Sequence, residues 1–169
     1  GRFFVIEGDE YDTAYFDKSP KFLHYDPDIA VITSCEFDHA DIYSNVAQIQ
    51  EQFEVLSSAV PSSGCIVAYG DDPRVRRVIR HAQAPVRTYS FDSGMEWTIG
   101  RADDRPEGIS ASFLRNGAEV ASGILPVVGL HNLLNAMAAI AATERAGVDP
   151  RQAVTALSAF EGVKRRQEV

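Results

Sequence analysis

Short apolar segments that end at ionisable side chains constrain most strongly what this chain can fold into. Residues 28–33 are rich in β-branched side chains and predict a buried strand, and residues 3–6 predict a second one. Glu7 follows the run at 3–6, and a cluster of ionisable groups follows the run at 28–33. That cluster comprises Glu36, Asp38, His39 and Asp41. Because ligands bind at the carboxyl ends of strands in open α/β sheets, we expect one ligand-binding edge here.

The rest of the chain alternates between strand and helix patterns. Further strands are predicted at 64–69 and 86–91, and helices at 44–59, from 73 onward, at 130–145 and at 150–160. The first of these helices is expected to begin with Ser44 as its N-cap. Alternation of this kind predicts an α/β fold with a mostly parallel sheet flanked by helices.

The region at about 95–125 has a different pattern. Three short alternating runs, at 97–101, 109–114 and 120–125, are separated by turn-forming residues. Asn116-Gly117 between two such runs is a strong signal for a tight hairpin. We therefore expect a small antiparallel subsheet attached to the parallel sheet.

Composition excludes several classes of function. The formal net charge is −8, and residues 1–60 hold twelve Asp and Glu against three Lys and Arg, which argues against nucleic-acid binding. No apolar run is long enough to cross a membrane, and no signal peptide is recognisable. The two cysteines are too few for a disulfide framework and indicate a reducing, cytoplasmic compartment.

Glu7 and His39 are the candidate metal ligands. A carboxylate suits Mg²⁺, whereas an imidazole suits Mn²⁺ or Zn²⁺ equally well. The simpler interpretation is that both side chains cap local turns. Residues alone therefore leave three interpretations open: part of a metal-assisted site, a metal-dependent hydrolase that also uses Asp38, and a non-catalytic metal-binding module.

A second candidate site lies at the start of the helix predicted at 130–145. Asn132 and Asn135 are three residues apart, next to His131, and carboxamides can pair with the edge of adenine. The alternative is that one asparagine caps the helix and the other is exposed. Arg166 could meet a ribose or phosphate, or belong to a solvated linker. No Gly-x-x-x-x-Gly-Lys-Ser/Thr motif is present to bind phosphates as a P-loop does.

Several motifs together resemble the central domain of the Mur ligase family. They are Glu7-Gly8-Asp9-Glu10-Tyr11-Asp12, Lys21-Phe22-Leu23-His24-Tyr25, Glu36-Phe37-Asp38-His39-Ala40-Asp41, Gly129-Leu130-His131-Asn132 with Asn135-Ala136, and Arg165-Arg166-Gln167-Glu168. Within the family, the first acidic segment and Glu-Phe-Asp-His-Ala-Asp are most similar to the ligases that attach the murein tripeptide. The resemblance covers essentially the whole chain.

The resemblance implies an ATP-dependent ligase of bacterial peptidoglycan recycling. It would join L-alanyl-γ-D-glutamyl-meso-diaminopimelate to UDP-N-acetylmuramate through an acyl phosphate; the alternative within the family is the ligase that adds L-alanine. Glu7 and His39 would hold Mg²⁺, with Mn²⁺ possible, and act in catalysis. ATP would be bound by His131, Asn132, Asn135 and Arg166.

The resemblance also implies how the chain is divided. Residues 1–160 would form part of the central ATP-binding domain, and residues 161–169 would begin the connection to a C-terminal domain. Both ends of the sequence look cut, so we expect a P-loop strand and helix before Gly1 and no ligase activity from this segment alone. No nucleic-acid or membrane partner is expected.

Overall fold

A computed structural model of the chain describes residues 2–8, 12–14, 17–36, 43 and 45–160. The strands are β1 (Asp12–Ala14), β2 (Asp17–Pro20), β3 (Ile29–Ile32), β4 (Cys65–Tyr69), β5 (Val86–Tyr89), β6 (Trp97–Arg105), β7 (Gly108–Arg115) and β8 (Ala118–Leu125). The α-helices are α1 (Val46–Ala59), α2 (Pro73–Val78), α3 (Leu130–Arg145) and α4 (Pro150–Ser158), and a 3-10 helix covers Lys21–His24. No helix in the described part of the chain is long and apolar enough to cross a membrane.

Strands β3 to β8 form one six-stranded sheet in sequence order, and β1 pairs with β2 in a separate hairpin. Pairing is parallel from β3 through β6 and antiparallel from β6 through β8. The predicted fold class is therefore confirmed: a mostly parallel portion flanked by helices carries a small antiparallel subsheet.

The hairpin between β7 and β8 forms at the predicted Asn-Gly pair. Asn116 and Gly117 both have positive φ angles, of 51° and 79°. A two-residue turn with positive φ at both positions matches the right-handed twist of the strands that it connects. The local sequence therefore determines where the subsheet folds back.

Side-chain caps fix where three of the helices begin. Asn45 rather than the predicted Ser44 caps α1: its Oδ1 accepts hydrogen bonds from the backbone N–H groups of Ala47 and Gln48. Ser44 itself lies outside the described residues. Asp72 caps α2 and Asp149 caps α4 in the same way, each followed by a proline in the first turn.

The two faces of the sheet are buried in separate apolar clusters. Alternation along β4 places Cys65 and Val67 in the cluster beneath α3 and α4, whereas Ile66 and Ala68 belong to the cluster beneath α1 and α2. All four of these residues are fully buried. Strand β4 is thus a central strand covered on both sides, which explains its nearly continuous apolar sequence.

The prediction of a strand at residues 3–6 is wrong. Residues 2–8 have no regular secondary structure, and Phe4 and Val5 are 86% and 92% exposed. An apolar run becomes a strand only when another strand pairs with it, and no described strand pairs with these residues. β3 pairs with β4 alone among the described strands.

Two leucines of α3 provide a matched test of this packing. Leu133 is completely buried, whereas Leu130 is 60% exposed. We expect Leu133→Ala to lower the free energy of unfolding by about 2–5 kcal/mol, because it removes buried methyl groups and leaves a cavity. Leu130→Ala should change it by less than about 0.5 kcal/mol. Urea denaturation of both variants measures the difference, and equal losses would contradict the assigned face of α3.

Candidate functional site

A pocket of about 220 Å³ lies at the carboxyl edge of the parallel strands, beneath the first turns of α3. Tyr69 and Tyr89 come from β4 and β5, and Thr33 and Ser34 directly follow β3. The helix contributes His131, Leu134 and Asn135. The pocket thus occupies the edge at which open α/β sheets bind their ligands.

Strand register brings the sheet residues of the pocket together. Tyr69 and Tyr89 end β4 and β5 and are direct partners across the parallel ladder. Ile32 pairs with Ala68, so Thr33 follows directly beside Tyr69. Because paired residues in a sheet point to the same face, both tyrosine rings lie on the α3 side. Their ring centroids are 5.7 Å apart, with the ring planes tilted by 48°.

The helical wall of the pocket follows from helix periodicity. His131, Leu134 and Asn135 are separated by three and four residues and therefore share one face of α3. The helix begins after Gly129, whose φ of +82° and ψ of 149° suit only glycine, and no side chain caps it. A Cβ atom on Gly129 would lie 2.9 Å from Cε1 and 3.0 Å from Nδ1 of His131. The imidazole therefore packs directly over the Gly129 backbone.

Asn132 and Asn135 have different surroundings. Asn135 lines the pocket, whereas Asn132 is not among the lining residues. The Nδ2 atom of Asn132 instead donates a 2.7 Å hydrogen bond to the carbonyl of Val128. Since Asn132 lies in the first turn of α3, its side chain reaches back to the preceding loop. The structure thus brings together His131 and Asn135 of the predicted set.

Both tyrosines of the pocket keep their protons at neutral pH. Burial, followed by the nearby Asp71 carboxylate, raises the pKa of Tyr69. Burial, with a contribution from Tyr69, also raises the pKa of Tyr89. The pocket thus combines tyrosine, amide and imidazole side chains, a combination that suits a planar heteroaromatic ligand.

Sequence reasoning missed Tyr69 and Tyr89. The available signal was their position, since each is the last residue of a predicted or observed strand of the parallel sheet. An aromatic residue at the end of a buried strand carries the same positional information as a charged one.

The structure describes one of the three remaining predicted residues, Glu7. Glu7 is exposed in the segment 2–8 and does not line the pocket. His39 and Arg166 lie outside the described residues. Within residues 2–8, 12–14, 17–36, 43 and 45–160, no group of three His, Cys, Asp or Glu side chains could hold a metal ion. Ligation of a cation by Glu7 and His39 thus stays a prediction.

Comparison with known proteins identifies the family. The model of the Mur ligase middle domain matches residues 2–143. The chain belongs to the Mur ligase family. The carboxyl-edge pocket is therefore a feature of a Mur ligase middle domain.

Three similar proteins refine the comparison. UDP-N-acetylmuramate–L-alanyl-γ-D-glutamyl-meso-2,6-diaminoheptandioate ligase of Haemophilus influenzae is 35% identical over 167 residues, which are 99% of this chain and 36% of that protein. UDP-N-acetylmuramate–L-alanine ligase of Frankia alni is 35% identical over 181 residues, covering 99% of this chain and 29% of that protein. The crystal structure of the tripeptide ligase from Neisseria meningitides has a TM-score of 0.87 and 42% identity, covering 96% of this chain and 49% of that one.

This chain spans about a third of the length of the curated relatives that it matches.

Gly129 provides a test of how the Mur ligase pocket is built. Gly147, at the other end of α3, also has a positive φ, of +93°, but a Cβ there would meet nothing within 4 Å. Both Gly129→Ala and Gly147→Ala should lower the free energy of unfolding, each by about 1–3 kcal/mol, because alanine is strained at a positive φ. Only Gly129→Ala should displace the His131 ring.

The measurement is the NMR chemical shift of the His131 imidazole in each variant. We expect this chemical shift to change in Gly129→Ala and to stay the same in Gly147→Ala. Equal movement in both variants would show that the imidazole responds to general destabilisation rather than to contact with residue 129.

Proposed function

We propose that this chain is part of the central ATP-binding domain of a ligase that joins L-alanyl-γ-D-glutamyl-meso-diaminopimelate to UDP-N-acetylmuramate. Family membership supports a ligase, and the tripeptide ligase from Neisseria meningitides, at 42% identity, supports this acceptor. The division into a central domain at 1–160 and a connection at 161–169 remains part of this proposal, as does a bacterial cytoplasmic location.

The observation that carries the proposal is the pocket at the carboxyl edge of the sheet. His131 and Asn135 face it from the helix, opposite Tyr69 and Tyr89. An asparagine carboxamide can both donate to and accept from the edge of adenine. We assign this pocket to the base of ATP, with Asn135 as the residue that contacts the edge of the ring.

The proposed reaction has two steps. The carboxylate of UDP-N-acetylmuramate attacks the γ-phosphorus of ATP, which forms an acyl phosphate and releases ADP. The amine of the tripeptide then attacks the acyl carbon, which forms the amide and releases phosphate. Phosphoryl transfer depends mainly on the positions of the reacting groups. A pocket that holds the base of ATP therefore also restricts where its γ-phosphate can lie.

The remaining ligand assignments are expectations of the same proposal. Glu7 and His39 are the predicted ligands of Mg²⁺ or Mn²⁺, a cation that would neutralise phosphate charge when bound. Arg166 is the predicted contact to the nucleotide. Asn132 would act by holding the loop before α3, through its hydrogen bond to Val128, as well as by any contact to ATP.

The L-alanine ligase is the second candidate function. The Frankia alni enzyme is 35% identical to this chain, the same value as the Haemophilus influenzae tripeptide ligase. Turnover of the complete ligase with each acceptor separates the two: the tripeptide should be used and free L-alanine should not. Membership of a ligase family removes the support for a metal-dependent hydrolase or a non-catalytic module.

Kinetics of the complete ligase test the assigned roles. Asn135→Ala should raise the KM for ATP by about tenfold and leave kcat nearly unchanged, because it removes a contact to the base. His39→Ala should lower kcat by about a hundredfold or more, because phosphate charge would no longer be neutralised. The matched variant Asn132→Ala should raise the KM for ATP less than Asn135→Ala.

Two results would contradict these assignments. An unchanged KM for ATP in Asn135→Ala would show that the base does not bind in this pocket. Full turnover by His39→Ala would remove the predicted metal role from His39.

A further inference from the structure

We infer that Tyr69 is a further nucleotide-binding residue, whose ring stacks against the base in the carboxyl-edge pocket. The inference rests on the proposed function, because it takes the ligand of the pocket to be a purine nucleotide. It goes beyond that function by assigning the base-binding surface to the sheet as well as to the helix.

The two pocket tyrosines differ in how available their rings are. Tyr89 is 1% exposed and belongs to the apolar cluster beneath α3. Tyr69 is only partly buried and lines the same pocket. A ring that is fully covered cannot offer its face to a ligand, whereas a half-buried ring can. Tyr69 is thus the binding ring, and Tyr89 is its support.

The structure holds Tyr69 in place before a ligand arrives. The Tyr89 ring contacts it at a centroid distance of 5.7 Å, and the backbone is fixed by the ladder between β4 and β5. The turn that follows is also fixed: the N–H of Gly70 donates to the carbonyl of Tyr89 at 2.9 Å. The carbonyl of Gly70 accepts a 2.7 Å hydrogen bond from Arg76. A preorganised ring binds with little loss of conformational entropy.

The opposite wall of the pocket completes a slot for a flat ligand. His131, Leu134 and Asn135 present an imidazole, an aliphatic group and an amide from one face of α3. A base in this slot would have the Tyr69 ring on the sheet side and the helix on the other side. Since every base has a π-face, stacking supplies affinity, and the amide of Asn135 supplies the choice between bases.

The test uses the complete ligase and measures the KM for ATP, the KM for UDP-N-acetylmuramate and kcat. Tyr69→Leu keeps an apolar side chain but removes the ring, so the KM for ATP should rise about tenfold. Tyr69→Phe keeps the ring and should raise it about twofold at most. The control Phe160→Leu removes a 42% exposed aromatic ring outside the pocket and should leave all three constants unchanged.

A second measurement does not depend on any variant. Adenosine added to the unmodified ligase should give nuclear Overhauser effects between the protons of adenine and those of the Tyr69 ring. Adenine protons should also shift upfield on binding, as stacking on an aromatic ring requires.

The outcomes separate this inference from the proposed function. If Asn135→Ala raises the KM for ATP and Tyr69→Leu does not, the role of Tyr69 is wrong and the base site stands. If neither variant raises it, the base binds elsewhere and both assignments fail. If Tyr69→Phe raises the KM for ATP as much as Tyr69→Leu does, the effect belongs to the hydroxyl group and the stacking role is wrong.

Discussion

Packing of α3 against the sheet is the interaction on which the rest of this domain depends. The helix buries one continuous face, made of Leu133, Ala136, Met137, Ala138, Ile140 and Ala141. That face shares an apolar cluster with residues of β4 and β5 and with Trp97 and Phe113 of the antiparallel subsheet. The helix therefore packs on β3 to β6, across the junction between the parallel and antiparallel portions, whereas α4 packs on β8. The first turns of α3 lie over the carboxyl edge, where the pocket forms.

Charged residues reinforce this arrangement at the other end of α3. Glu144 pairs with Arg87 of β5 and with Arg115 of β7, the latter at 2.9 Å. Arg115 also pairs with Glu96 at 3.1 Å, and its guanidinium lies over the Trp97 ring. The side chains involved are 17–35% exposed, so removal of one partner would leave a partly buried charge uncompensated. The network links the C-terminal turns of α3 to both parts of the sheet.

Sequence patterns predicted the elements that local periodicity determines. The helix at 130–145 and the Asn116-Gly117 hairpin followed from spacing and turn chemistry alone. Tyr69 and Tyr89 could not be paired in the same way, because parallel register is set by strands far apart in sequence. Residues 3–6 show the same limit: their apolar pattern is that of a strand, but pairing depends on partners that the pattern does not specify. Helical spacing predicted that Asn132 and Asn135 share a face. It could not predict that Asn132 donates a hydrogen bond to the carbonyl of Val128 while Asn135 lines the pocket.

A crystal structure of the complete ligase with a non-hydrolysable ATP analogue and Mg²⁺ tests the central claim most directly. We predict adenine in the pocket between the Tyr69 ring and the helix face of His131, with the Asn135 amide hydrogen-bonded to the edge of the base. Adenine bound away from these three side chains, with only solvent in the pocket, would contradict this assignment of the pocket.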